Sequence, residues 1–244
     1  MRQDKGISLR IRDFSLAVAL VAAGFLISGS RADAASSPEA QKVLRELDAA
    51  SLQFRSAQAD FVWDTYERVV NETDTQRGAI TFKRRGSSTL MAARFFDAPN
   101  QPASKLIVYK DGELKMYQPK IDQLTEFAAG KNRSQAESFL TLGFGGSGAE
   151  LEKSWDVTFQ GMETISGVQT ARLDLVPKQQ KVKNMFSHVT IWVDPGRGVS
   201  LRQQFFEPNG DYRTTNFTNI RYNAAVSGKA FDIKTTSRTT VVRH

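Results

Sequence analysis

Hydrophobic and polar positions change period along this chain, and the changes divide it into elements. Val43, Leu44, Leu47, Ser51 and Phe54 recur at three-to-four spacing and predict an amphipathic helix ending near residue 54. Ser37 as N-cap, Pro38 at the first helical position and Glu39 in the first turn mark its start. The period then falls to two. Phe61 and Trp63 alternate with Val62 and Asp64, while Ile80, Phe82 and Arg84 alternate with Thr81 and Lys83, so each set lines one face of a strand. Asn71 to Gly78, between them, reads as a polar turn. Further strands are expected at Thr89 to Phe96, Leu106 to Tyr109, Glu113 to Tyr117, Trp155 to Phe159 and Ala171 to Val176. Phe186 to Val193, Ser200 to Phe206, Asp211 to Tyr222 and Ala230 to Thr235 complete the set. Turns at Asp111-Gly112, Asp194-Pro195-Gly196 and Pro208-Asn209-Gly210 make successive hairpins, and hence one continuous antiparallel sheet in a mainly β (α+β) chain.

One segment interrupts the alternation. Ser134-Gln135-Ala136-Glu137 fits a capping box, followed by Phe139, Leu140, Leu142 and Phe144, which predicts a short apolar helix covering one face of the sheet. Its exit through Gly143, Gly145, Gly146 and Gly148 suits either a hinge or a fixed helix with a flexible loop.

The first 34 residues have a different character. Arg2, Lys5, Arg10 and Arg12 precede an uncharged run, Phe14 to Ile27, and Ala32-Asp33-Ala34 offers a cleavage site, so residues 1–34 read as an export signal. The run is shorter than the roughly 20 residues a bilayer span takes. Residues 35–244 are then expected to form a single periplasmic domain, soluble and monomeric, cut near Ala34. The chain has no cysteine, which excludes disulfides, thiolate metal sites and a cysteine nucleophile. Five basic and three acidic residues of the leader contribute to the total charge of +7, leaving +5 on the remainder. That surplus suits an anionic lipid or acidic partner, and an exported chain without a recognition motif is a poor candidate for nucleic acid.

Candidate chemistry is sparse. His188 and His244 are the only histidines, and His188 sits within a strand pattern, where a structural role is expected. The carboxylate pairs Asp122/Glu126 and Glu150/Glu152 fall on expected loops or surface faces, so catalysis, a metal and a cofactor are not expected. Apolar content is more telling. Sixteen phenylalanines and three tryptophans, mostly on alternating positions, exceed what two helices can cover, and the surplus suits a cavity for an acyl chain or similar ligand. Phe61, Trp63, Ile80, Phe82, Met116, Phe139, Leu142 and Val193 are the expected lining. Arg84 shares the parity of Ile80 and Phe82, so its guanidinium either bonds carbonyls of a covering helix or snorkels to solvent.

Several stretches resemble the periplasmic outer-membrane lipoprotein carrier family, LolA. They are Gly78-Ala-Ile-Thr-Phe-Lys-Arg84; Leu106-Ile-Val-Tyr-Lys-Asp111-Gly112 with Leu114, Tyr117 and Pro119; Leu173-Asp-Leu-Val-Pro177-Lys178; Val189-Thr-Ile-Trp-Val-Asp194; and Asn216-Phe217-Thr-Asn219-Ile220. The resemblance runs from about Ala40 to Thr235. It implies an unclosed antiparallel β-barrel with a helical lid over an apolar cavity, and a non-enzymatic carrier that shuttles lipoproteins from the inner to the outer membrane. An inner-membrane releasing complex and an outer-membrane acceptor are the implied partners, the lipoprotein acyl chains the cargo, and Arg84 the lid latch. A carrier or sensor of another amphiphile, such as a glycolipid, is the alternative on the same fold. The chain departs from the family in having Arg85 and Gly86 where a proline usually follows the latch arginine, in its glycine-rich stretch Gly143 to Gly148, and in extra residues around Gly86 to Met91.

Overall fold

Twelve strands hydrogen-bond into one sheet, because most connections are tight turns between segments of period two. A computed structural model describes residues 37–128 and 139–243. The proposed leader and the capping box at Ser134 to Glu137 lie outside the described residues. The strands are β1 (Ser56–Glu67), β2 (Glu72–Arg85), β3 (Ser88–Phe96), β4 (Lys105–Lys110), β5 (Glu113–Gln118) and β6 (Gln123–Ala128). They continue as β7 (Trp155–Ile165), β8 (Val168–Pro177), β9 (His188–Asp194), β10 (Val199–Phe206), β11 (Tyr212–Tyr222) and β12 (Thr240–Arg243). Their order across the sheet is β12-β6-β5-β4-β3-β2-β1-β11-β10-β9-β8-β7. The two ends, β12 and β7, do not pair, so the fold is mainly β and unclosed. Among the described residues α-helix is found in α1 (Pro38–Gln53), α2 (Gly148–Ser154), the single turn α3 (Gln180–Lys183) and at Phe139 and Leu140. Among the described residues no helix is long and apolar enough to cross a membrane.

Helix α1 begins where its sequence predicts, with the Ser37 hydroxyl accepting from the Ala40 N–H at 3.2 Å. Its buried stripe, Val43, Leu44 and Leu47, packs with Leu151 and Trp155 onto Leu173, Leu175, Val189, Ile191 and Val193 of β8 and β9. A second cluster gathers Phe54, Phe61, Phe82, Met91, Phe95, Tyr109, Phe144 and Phe217 around β1 to β4. Both lie on one face of the sheet, called here the inner face. On the outer face, Leu90, Ala92 and Val108 are covered by Phe231, Val226, Ala230 and Ile233 of the chain leaving β11. Arg94 and Lys83 donate to the carbonyls of Ala230 and Val226, both at 2.8 Å, and fasten that covering segment.

Three sequence expectations are corrected here. Residues Glu72 to Arg77 are strand rather than turn: they pair with Val62 to Glu67, beyond the core, where both strand faces meet water and apolar alternation is lost. Ala230 to Thr235 is not a strand, since Gly228–Phe231 forms a 3-10 turn whose Phe231 plugs the outer face. The last strand is instead β12, which pairs with β6 in parallel, so the sheet is not wholly antiparallel. Asp122 and Glu126 consequently belong to this junction rather than to a free surface or loop.

Asp122 is the clasp of that junction. Its carboxylate accepts from the hydroxyls of Thr239 at 2.7 Å, Tyr117 at 2.9 Å and Thr236 at 3.0 Å, and its carbonyl accepts from the Thr240 N–H at 2.9 Å. The bonds from Thr239 and Tyr117 hold the Asp122 carboxyl below its ordinary range. A depressed folded-state value stabilises the fold above the unfolded carboxylate pKa, about 4, and that contribution disappears as pH falls through the folded value. Protection of the β12 amides against hydrogen exchange is therefore expected to drop below about pH 4. In Asp122→Asn it should already be low at pH 7. Unchanged β12 protection in that variant would show that the strand is held by its ladder alone.

Candidate functional site

The inner face is almost wholly apolar along β1 to β4, because directly opposed residues of antiparallel strands share a face. Ala57, Phe82, Met91, Tyr109 and Leu114 form one row across the sheet, and Ala59, Ile80, Ala93, Ile107 and Met116 the next. Phe61, Gly78 and Phe95 form a third, with the Phe61 and Phe95 rings edge to face, centroids 5.2 Å apart. Gly78 makes that contact possible. A Cβ there would stand 2.2 Å from the Arg94 carbonyl oxygen and 2.3 Å from Phe61 Cζ.

A segment between β6 and α2 closes over this surface. Phe139 and Leu140 are helical, Thr141 to Gly143 turn, and Phe144 bridges to Val199. The Phe144 ring stacks on Phe82 with centroids 4.2 Å apart and meets Phe217 edge-on at 4.9 Å. Polar bonds pin the same residues. Gln203 donates to the Leu142 carbonyl at 2.6 Å, the Ser200 N–H to that of Gly143 at 2.7 Å, and the Gly145 N–H to that of Gly198 at 2.9 Å. Arg84, at the end of β2, donates from Nη2 to the Gly145 carbonyl and from Nη1 to the Ser51 carbonyl at 3.2 Å. Its guanidinium also lies 5.7 Å from the centre of the Phe54 ring. One side chain thus ties the end of α1 and the closing segment to the sheet. Beside it is a cavity of about 350 Å³, bordered by Arg84, Leu142, Gly145, Leu151, Ile191 and Val193.

A family model, outer membrane lipoprotein carrier protein LolA, matches residues 53–234. The chain belongs to the LolA family. No curated protein matches the chain in sequence. Among solved structures, MucB superposes with a TM-score of 0.52 at 18% identity, over 84% of this chain and 66% of that one. MucB is also seen in a Pseudomonas aeruginosa MucA/MucB complex. A conserved protein from Thermus thermophilus gives 0.51 at 12% identity, over 84% and 99%. A LolA superfamily protein from Nitrosomonas europaea is 12% identical over 80% and 97%, with a TM-score of 0.39. At such identities the first two are likenesses of fold alone.

Within this LolA fold the expected lining residues divide between the two clusters. Phe61 and Phe82 are buried in the cluster over β1 to β4, with Trp63 and Ile80 half-buried against it. Leu142 and Val193 are buried in the cluster under α1, with Phe139 against it. Met116 follows Ile107 on the inner face, yet belongs to neither cluster. Sequence reasoning passed over Phe54, Phe144 and Phe217, which occupy the centre of the site. Their signal was present for Phe144, the last apolar residue before the glycines. Three of those glycines are close-approach positions: a Cβ on Gly143 would stand 1.9 Å from Ser200 Oγ, one on Gly145 2.3 Å from the Phe54 ring, and one on Gly148 2.2 Å from the Leu44 carbonyl oxygen.

The catalytic candidates are not assembled. His188 stacks on Phe206 at 4.1 Å and takes Ser187 Oγ at 3.2 Å from Nδ1, but its Nε2 is 4.0 Å from Asp174, beyond a hydrogen bond. Glu150 accepts from the Ser147 N–H as part of the α2 capping box, and Glu152 accepts from Gln41. Among the described residues no group of three or more acidic or histidine side chains is placed to hold a metal ion.

Proposed function

We propose that this protein is a periplasmic carrier that binds lipoprotein acyl chains on the inner face and passes them from the inner to the outer membrane. The observation carrying this reading is the Arg84 tie: a half-buried cation, bonded to two carbonyls, holds an apolar segment over an aromatic surface. A cavity of 350 Å³ is at the small end for a ligand pocket, about 300–1,000 Å³. An acyl chain therefore enters by displacing Phe144 and its neighbours rather than by filling an existing hole. Export by residues 1–34, a monomeric state, a releasing complex in the inner membrane and an acceptor in the outer membrane belong to the same proposal.

The energies are of matching size. Burying an acyl chain of about 16 carbons is worth on the order of 10 kcal/mol, at about 0.8 kcal/mol per CH₂. Each charge-assisted bond from Arg84 contributes roughly 1.5–3 kcal/mol to the closed state, and closing returns part of the cost of expelling cargo. Arg84→Leu is expected to fold normally, retain cargo more fully and deliver less of it to acceptor membranes. Native mass spectrometry of protein isolated from its own envelope reads the cargo directly. Stoichiometric acylated polypeptide would support the proposal; no acylated species in the wild type, or undiminished delivery by Arg84→Leu, would count against carriage or latch respectively.

A further inference from the structure

At one end of the sheet, apolar side chains stand bare on loop tips, where polar residues are the rule. The β1–β2 turn is Arg68-Val69-Val70-Asn71, with Val69 88% and Val70 56% exposed. Asn71 takes the positive φ of this turn, so its geometry asks nothing of the valines. Arg68 ties the turn to the β10–β11 loop: its N–H donates to the Asp211 carboxylate at 2.8 Å and its Nε to the Asn209 carbonyl at 2.9 Å. The β8–β9 loop comes next, fastened by the Ser187 N–H, which donates to the Phe206 carbonyl at 2.8 Å. In that loop Val182 and Phe186 pack against the core under α1. Lys181, Lys183 and Met185 are left in solvent, Met185 with half of its surface bare. The rings of His188, Phe206, Tyr212 and Tyr66 stack in turn across the bases of the three loops, with centroids 4.1, 6.0 and 4.9 Å apart, and give the tips a firm footing.

Charge accompanies the apolar tips. Residues 178–187 hold three lysines and no carboxylate. Lys178 donates to the Glu152 carbonyl at 2.6 Å and lies 3.7 Å from Asp156, whereas Lys181 and Lys183 enter no ion pair among the described residues. Glu67 and Glu72, the strand acids that flank the valine turn, oppose each other at its base. The turn therefore supplies apolar contact and the neighbouring loop supplies positive charge. Apolar tips on separate loops suit a broad, fluid surface, which takes up such side chains singly and, when anionic, attracts lysines beside them. We infer that this end of the sheet docks on an anionic lipid surface, with Val69, Val70 and Met185 entering the interface and Lys181 and Lys183 over the headgroups. The inference goes beyond the carrier reading, because it concerns the loop tips and requires nothing of the inner face or its cargo.

The test measures binding to phosphatidylcholine vesicles with and without phosphatidylglycerol. Wild-type protein should bind the anionic vesicles about thirtyfold more tightly, about fivefold for each lysine, with the preference shrinking as salt rises. Lys181→Gln combined with Lys183→Gln should remove the preference. Val69→Ser combined with Val70→Ser should weaken binding to the anionic vesicles about tenfold and keep the preference. All four side chains are exposed, so neither pair disturbs the core. Because the chain has no cysteine, a single introduced one carries a polarity-sensitive thiol dye to a chosen place. Dye on Val69→Cys should shift to the blue when anionic vesicles are added, and dye on Ser166→Cys, in the β7–β8 turn at the opposite end of the sheet, should not. No binding to anionic vesicles would overturn the docking surface and leave carriage untouched. A preference that survives loss of both lysines, or a blue shift at Ser166→Cys but not at Val69→Cys, would also overturn it.

Discussion

Phe144→Ala is expected to open the closing segment without unfolding the sheet. The ring is 1% exposed, lies flat on Phe82 and meets Phe217 edge-on, so truncation removes about 3–5 kcal/mol from the closed state. That shifts a local closed-to-open equilibrium by at least two orders of magnitude, at about 1.4 kcal/mol per factor of ten. The hydrogen bonds from Gln203, Ser200 and Gly145 oppose opening, but all act on the same short stretch and are lost together. Exchange protection of residues 141–146 should therefore collapse while that of β8 and β9 stays. Binding of a hydrophobic dye should rise, because Phe82, Phe61 and Phe217 become accessible. A uniform loss of protection across the sheet, with no dye bound, would mean that Phe144 is ordinary core and that the segment is no lid.

The second large effect is on stability. Gly78→Val places a branched side chain where the β3 backbone and the Phe61 ring already stand within 2.3 Å. The Arg94 carbonyl is part of the β2–β3 ladder, so relief requires the strands to part, and Phe61 must leave Phe95. Overpacking costs typically 1–3 kcal/mol, and loss of the aromatic contact adds about 0.5–1.5 kcal/mol. A loss of about 3 kcal/mol or more in chemical denaturation is the expected result. Gly78→Ala should lie between the variant and the wild type. If valine is tolerated within 1 kcal/mol, the inner face is looser at Phe61 than its geometry says.

The glycine also explains why a short motif was readable. Gly78 to Arg84 places a gap for Phe61, then Ile80 and Phe82 on the inner face, then Arg84 at the strand end, and a two-residue period forces all four onto one side. Where burial on at least one face makes a strand rich in apolar residues, as in β3, β9 and β10, the apolar positions located it to within a few residues. That signal failed where burial stops governing composition. The start of β2 and the whole of β6 and β12 are short or wet on both sides, so their residues carry no period. Helix α2 was missed because its seven residues bury only Gly148 and Leu151, too few to mark a stripe.

The parallel pairing of β12 with β6 has a consequence for how the chain acquires its shape. Thr240 pairs with Gln123, so this ladder closes a loop of more than a hundred residues, whereas the neighbouring β4, β5 and β6 are joined by tight local turns. Local hairpins form early and distant pairings late, because loop closure must be met before any contact repays it. Until the final segment arrives, β6 presents bare backbone donors and acceptors, the kind of edge on which chains stick to one another. Folding of this protein thus carries an interval in which the six-residue edge of β6 lies bare, ended when the four-residue β12 takes its place as the edge.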